Sequence, residues 1–498
     1  MKTVTIPIPH RGQSDGLAVS EQPPLSTPLC LNVLPIERVG RRRIGQRPGM
    51  TAGTALDTET DPVQAILPCV WLGELYVVAV CDGNVYVNGE VVAGETLPGT
   101  GDISLCQGGG GKVYLVDGTT VLVLTLAASS SIDELGTAPS DCTLCAFWRG
   151  RLVLAGPKSI WYMSRQDDVT DWDYAPTDMD SGRAVSSSAT SMPGRISGPI
   201  TALAVANDDN LLISESDRIW HMRGDPATGG DLLLLGPSRG FLDAYAHCIA
   251  DDGSVWFADS SGICRFDGAG IQPVTGHNAR RFFTSIDTTA QRVFMVWDHK
   301  FDGAWVFAAK ASEGYAVYMQ HAFVDGDGGF WPMQFTSGFS GETVVSTKDP
   351  MCAASTPARL YLGCRDGLVR GFDDAQKKDD GYTIISRIYL GPFDIGGPLG
   401  ESIILMAAIE LGQVPTGFSA PGSWGCTLTI QVANSPYDAV YSPTASVAGN
   451  VVSAGRLTLK SIRIKGRWMS LKIENVTADK FWSFDNAAVI IESAGRQR

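Results

Sequence analysis

The stretch Gly253–Gly268, GSVWFADSSGICRFDG, decides how this chain is read. Val255 and Phe257 alternate with Trp256 and Ala258, the run breaks at Asp259-Ser-Ser-Gly262, and alternation resumes through Ile263, Cys264, Arg265 and Phe266. Two period-two apolar runs around a short Ser/Gly turn are the mark of a β-hairpin. The pattern recurs in LYVVAVCDGNVYVNG from Leu75, KVYLVDGTTVLVLT from Lys112, GRLVLAGPKSIWYMS from Gly150 and NLLISESDRIWHMRG from Asn210. It appears again in GAWVFAAKASEGYAVYM from Gly303 and ARLYLGCRDGLVRGFD from Ala358.

Hairpins of one kind returning at a loose period of about 40–50 residues predict a β-propeller. A four-stranded blade cannot cover both its faces alone, and stacking blades around an axis covers them. The spacing is irregular and neither a WD ladder nor a kelch di-glycine repeat is present. An irregular propeller of about six to eight blades over 69–374 is therefore expected, with a loop insertion at Arg165–Ser197.

Outside that row the texture changes. Residues 1–68 are rich in Pro, Gly and Ser and read as an extended N-terminal arm. After the polar AQKKDDG segment the strands lengthen (ESIILMAAIELG, GCTLTIQVANSP, RLTLKSIRIKGRWMSLKIENVT, FWSFDNAAVIIESAG), so 375–498 is expected to form an additional C-terminal β-sandwich-like domain. The whole chain is read as all-β.

Composition narrows the function classes. The 498 residues are 44% hydrophobic and 18% charged, with 56 Gly and 27 Pro, as a turn-rich all-β protein requires. A formal net charge of −14 argues against a surface that grips nucleic acid, because phosphate contacts need Lys and Arg. It leaves room for a surface that DNA slides past. The eleven cysteines are scattered and odd in number, the pattern of free thiols in a reducing compartment. The opening MKTVTIPIPHRG has no apolar h-region and no apolar run reaches 18 residues. Neither a secretory signal nor a membrane span is expected, and synthesis in a cytoplasm is.

Chemistry-bearing motifs are sparse. Gln107-Gly-Gly-Gly-Gly111-Lys112 precedes a strand, so it lacks the helix N-terminus a phosphate cradle uses. Cys142-Thr-Leu-Cys145 has no second ligand pair. Asp325-Gly-Asp327-Gly-Gly329 lacks the bidentate Glu of a calcium loop. The six histidines never pair at metal-ligand spacing, and Asp167-Asp168, Asp208-Asp209 and Asp251-Asp252 are adjacent pairs whose side chains diverge in a strand. No catalytic, cofactor-binding or metal residue is therefore assigned, and no enzymatic activity is expected. The densest positive segment holds Arg38, Arg41, Arg42, Arg43 and Arg47, five arginines in ten residues of an acidic chain. It reads either as a contact with an acidic partner or as an intramolecularly bonded cluster, and the partner reading makes these five the candidate binding residues.

Taken in order, several segments carry a resemblance. They are Asn32…Arg43…Arg47-Pro48-Gly49, then Arg149-Gly-Arg151-Leu-Val-Leu-Ala…Ile160-Trp-Tyr-Met-Ser164…Asp171-Trp172, then Leu211-Leu-Ile-Ser-Glu…Ile219-Trp220…Gly224. Gly236-Pro237-Ser238…Val255-Trp-Phe…Gly262-Ile263…Gly268 and the closing Gly495-Arg-Gln-Arg498 follow. The chain resembles the tail nozzle (tail tubular, packaged-DNA-stabilising) proteins of short-tailed bacteriophages along nearly its whole length. That resemblance implies a structural virion protein in the tail, with a propeller in each subunit of a hexameric ring. Its partners would be the head-to-tail adaptor ring, tail fibres or needle, and double-stranded DNA passing the lumen without sequence-specific binding. It fixes no functional side chain. The alternatives are a receptor- or glycan-binding propeller, in which tryptophans such as Trp161, Trp172, Trp220 and Trp256 would stack on sugars, and a propeller hydrolase.

Overall fold

A computed structural model describes the chain apart from residues 39–40, 52, 54, 57–60, 98–100, 176–179, 189–195, 276–277, 311–315, 322–327, 336–347, 399, 412–424, 452–454, 478–479 and 497–498. For 36–38, 41–42, 237, 310, 316–321, 450–451, 455–461 and 495–496 it describes the backbone alone.

The described residues form seven four-stranded antiparallel sheets, two larger sheets and one two-stranded ribbon. The four-stranded sheets are propeller blades, numbered here along the chain. Blade 1 runs from Val63–Trp71 to Glu90–Val91, blade 2 from Ser104–Gln107 to Ser131–Glu134, and blade 3 from Leu144–Trp148 to Val185–Ser186. Blade 4 runs from Ala202–Asn207 to Asp231–Pro237, blade 5 from His247–Ile249 to Ile271–Pro273, and blade 6 from Gln291–Asp298 to Gly329–Met333. In blade 7, Pro350–Thr356, Arg359–Cys364 and Val369–Asp373 take their fourth strand, Gly49–Thr51, from the N-terminal segment. The first strand of each blade touches the first strands of its neighbours, and the circle closes between Pro350–Thr356 and Val63–Trp71. Every hairpin that the sequence reading singled out is the middle pair of one blade.

Alternation explains the ring. In blade 5, Val255, Phe257, Cys264 and Phe266 pack with Ala202, Leu212 and Ile219 of blade 4. From the opposite face, Trp256, Ala258 and Ile263 pack with Val293, Met295 and Val306 of blade 6. The same two-sided split holds in blade 3, where Leu152 and Leu154 face blade 2 while Val153 and Ala155 face blade 4. A strand buried on both faces reads as near-continuous apolar sequence. Burying each such side chain is worth about 1.5–3 kcal/mol, so every blade depends on both neighbours. Tight turns serve the same end. Asp259 accepts hydrogen bonds from the Ser261 and Gly262 amides at 2.7 and 2.9 Å, which closes the hairpin of the opening stretch.

The C-terminal residues form two packed sheets, as the sandwich expectation has it, but they do not form them alone. One sheet orders Val33–Arg38, Arg41–Gln46, Ser483–Arg496, Gly400–Leu411 and Gly455–Gly466, with Lys2–Ile6 also paired to Ser483–Arg496. The other orders Cys30–Leu31, Ser386–Asp394, Trp468–Asn475, Cys426–Ala433 and Ala445–Val451. The segment expected as an extended arm is thus woven into both units, and the propeller begins at Val63. One core joins the units: Val33, Leu34, Ile44 and Trp482 of the sandwich are continuous with Trp305, Phe307 and Trp331 of blade 6 and Leu360 and Leu362 of blade 7.

Arg47 stands at the joint, fully buried. Its Nε donates to Asn32 Oδ1 at 3.1 Å; Nη1 donates to the Pro48 carbonyl at 3.0 Å and to Asp379 Oδ1 at 2.8 Å. Its Nη2 donates to the Gln334 carbonyl at 3.2 Å and to Asp379 Oδ2 at 2.5 Å. All five guanidinium donors are used. The guanidinium also lies over the Phe335 ring, 4.3 Å from its centroid. Gly49 follows because nothing larger fits: a Cβ there would stand 2.1 Å from the Lys378 carbonyl oxygen.

Two of the five candidate arginines are therefore reassigned from partner binding to the fold. Besides Arg47, Arg43 is buried and pairs with Asp485 at 2.6 Å, because its strand lies beside Ser483–Arg496 with Ile44 opposite Phe484. The backbones of Arg38, Arg41 and Arg42 belong to the same hairpin, Arg38 opposite Arg41, and their side chains lie outside the described residues. The eleven cysteines are free, and burial pushes thiols such as Cys69 and Cys142 up to about 12.

Removing one partner of a buried ion pair strands the other, at a cost of about 3–5 kcal/mol. Arg47→Met is accordingly expected to lower the unfolding free energy in urea by that amount. Arg149→Met, whose Asp209 partner is 85% exposed, should cost less than about 1 kcal/mol. Equal, small losses for the two variants would place the joint elsewhere.

Candidate functional site

The first strands of the blades converge on the axis and enclose a cavity of about 200 Å³ there. Its wall draws on every blade, for example Ile66, Leu105, Leu144, Leu203, Phe294 and Ala353. The wall mixes apolar inner-strand side chains with the polar groups of Ser104, Tyr245, His247 and Arg292.

Polar groups enter this wall from blades 5 and 6. Tyr245 lies just before His247–Ile249, bridges to Phe294 and accepts the Met295 amide on its carbonyl at 2.8 Å. The Arg292 guanidinium stacks over the Tyr245 ring, 4.4 Å from its centroid, and Nη1 donates to the Gln64 carbonyl at 2.8 Å. Arg292 Nε is buried and lacks a hydrogen-bond partner among the described residues, where it pairs with Asp102 Oδ1 at 3.6 Å. Asp243 lies behind this pair and accepts the Val293 amide at 2.9 Å. Burial raises its pKa against the pull of that amide and of Arg292.

His247 completes the set. It lines the cavity and rests against Phe241 with ring centroids 5.5 Å apart. Burial drives its pKa down to about 4 against a weaker upward pull from the Ala244 backbone, so the imidazole is neutral at pH 7.

A second space of about 420 Å³ is lined by Asp61, Gln64, Asp82, Asp102 and Met351 together with Arg292. Arg292 belongs to both spaces and stands between them. Arg292 is thus the residue common to an acidic surface space and the axial chamber.

The motifs weighed in the sequence lie elsewhere. Gly109–Gly111 is a 3-10 turn against blade 1, where a Cβ on Gly111 would stand 2.7 Å from the Trp71 ring. Cys142 and Cys145 are buried separately, Cys142 against the Ser140 carbonyl and Cys145 against Ser104. Asp251 bonds His299 and Asp252 bonds Arg265, so that adjacent pair diverges. Asp325, Asp327 and His277 lie outside the described residues. Among the described residues no group of three or more His, Cys, Asp or Glu is placed to hold a metal ion. The axial set escaped the sequence reading because Tyr245, His247 and Arg292 are separated along the chain. The available signal was a single Arg at the start of the apolar run QRVFMVWD.

No family model matches the chain, and no curated protein matches it. Among solved structures it is similar to the WD40 β-propeller domain of Doa1, at 12% identity over 66% of this chain and 97% of that chain, with a TM-score of 0.41. It is similar to virginiamycin B lyase from Staphylococcus aureus, at 11% identity over 65% of this chain and 98% of that chain, with a TM-score of 0.40. The computationally designed Ika8 protein matches at 14% identity over 65% of this chain and 99% of that chain, with a TM-score of 0.36.

The neutral, buried His247 makes stability depend on pH with a defined sign. Its folded pKa, about 4, lies below its ordinary 6.5. The unfolded chain therefore takes up a proton first, and stability falls as pH drops from about 6.5 toward about 4. His247→Phe should flatten this fall, read as a smaller shift of the urea midpoint between pH 7 and pH 5 than in the parent. Parallel pH profiles for the two proteins would show that His247 is not buried in its neutral form.

Proposed function

We propose that this chain is a non-enzymatic structural protein of a short-tailed bacteriophage virion, forming the distal tail tube or nozzle through which the genome leaves. The observation that carries the reading is the fusion of propeller and sandwich into one block. N-terminal strands build the sandwich and close blade 7, and a common core runs through both units. Such a block suits a wall segment that must hold its shape against load, and the order of sequence features quoted above supports the same reading.

The propeller axis is not the genome path. A chamber of about 200 Å³ cannot admit a duplex whose major groove alone is about 12 Å wide. The lumen in this reading lies between copies arranged in a ring, lined by an acidic surface that repels phosphate and keeps DNA moving. The chain's net charge of −14 fits that role. Of the tryptophans that the glycan-binding alternative invokes, Trp161, Trp220 and Trp256 are buried and cannot stack on a sugar, while Trp172 is half-buried.

The test is negative-stain imaging of the purified protein together with sedimentation velocity at low and high salt. The proposal expects closed rings with six-fold averages that bind the adaptor ring of the same virion. A monomer at all concentrations that retains ligands from a glycan array would replace it with the receptor-binding reading.

A further inference from the structure

The axial chamber has the properties of a ligand site that the nozzle reading does not use. A cavity of about 150 Å³ in a protein core has room for benzene, so a chamber of about 200 Å³ has room for one ring bearing a polar substituent. Its walls from Ile66, Leu203 and Phe294 are apolar. One buried polar atom at this chamber, Arg292 Nε, lacks a hydrogen-bond partner among the described residues. Buried polar atoms of this kind are normally satisfied, by protein, water or a bound molecule.

We propose that the chamber binds a small monocarboxylate with an apolar body, of the size of benzoate, with its carboxylate on Arg292 and its ring among the inner-strand side chains. Arg292 supplies the fixed cation and a donor fork that matches a carboxylate. Among the described residues it pairs with Asp102 at 3.6 Å, a side chain that is 67% exposed. A bound carboxylate takes the place of this loose contact inside the protein, where the lower dielectric makes the same charge pair stronger. The second space explains the charge limit. Asp61, Asp82 and Asp102 line this neighbouring space, which shares Arg292, and their charge opposes multiply charged anions at that arginine, which favours a monoanion over a phosphate ester or a nucleotide. The neutral His247 faces the chamber without adding a second charge.

The experiment is calorimetric titration of the full chain at pH 7 with benzoate and, separately, with the uncharged isostere benzamide. The expected result is saturable one-to-one binding of benzoate, with benzamide at least about tenfold weaker, the ratio that one lost charge-assisted contact gives. Arg292→Gln should weaken benzoate by about tenfold or more and leave benzamide unchanged. Asp102→Asn, an exposed position, should tighten benzoate severalfold because it removes the competing carboxylate. That variant keeps the test intact if Arg292→Gln does not fold. Absence of saturable binding up to about 10 mM benzoate, a value beyond the weak end of specific affinity, would overturn the proposal. Equal affinity for benzamide, or an unchanged benzoate affinity in Asp102→Asn, would overturn it too.

Discussion

The guanidinium of Arg47 is the point on which this architecture depends. It binds Asp379 after the last propeller strand, Asn32 between two sandwich strands, the Pro48 carbonyl beside the closing strand, and the Gln334 carbonyl at the end of blade 6. Burying an arginine and an aspartate costs several kcal/mol per ion, and the cost is offset only where every donor and acceptor is engaged. Here Arg47 uses all five donors and Asp379 Oδ1 also accepts the Met50 amide at 3.2 Å. Asn32 adds to the joint: it holds φ at 53°, donates to the Ile385 carbonyl and accepts the Gln334 amide. Four chain segments thus meet at one satisfied polar cluster inside an apolar core, and their relative positions are fixed by it.

The legible part of this fold was the part written locally. Each middle hairpin, such as Val255–Asp259 with Gly262–Phe266, carries its alternation and its turn within about 15 residues, and the two-faced burial of blades made those runs apolar throughout. Outer strands were harder to see, because Glu90–Val91 and Val185–Ser186 are two residues long. The closing strand was invisible for a different reason. Thr51 meets Gly371 across 320 positions, and no local pattern encodes such a pairing. The arginine-rich segment illustrates the same limit. Its charge density suggested a partner, whereas the partners of Arg43 and Arg47 are Asp485 and Asp379 of the same chain. The candidate site was not legible, since convergence of Tyr245, His247 and Arg292 at an axis is a property of ring closure.

Ring closure also links structure to the proposed roles. Because each blade buries one face on each neighbour, the propeller is stiff as a whole, and the shared core passes that stiffness to the sandwich. A wall segment in a tail needs this property, and so does a chamber whose polar groups must stay aligned without a ligand. The chamber and the wall make separate demands, one on the inner strands and the other on outward surfaces.

The central claim is that propeller and sandwich form one cooperative unit locked through the Arg47 joint. Native-state hydrogen exchange in increasing urea, followed by mass spectrometry, tests it most directly. Amides of the closing strand Gly49–Thr51, of blade 7 at Val369–Asp373 and of the sandwich at Ser386–Asp394 should lose protection at the same denaturant concentration. Loss of protection in the sandwich while blade 7 and its closing strand remain protected would contradict the account.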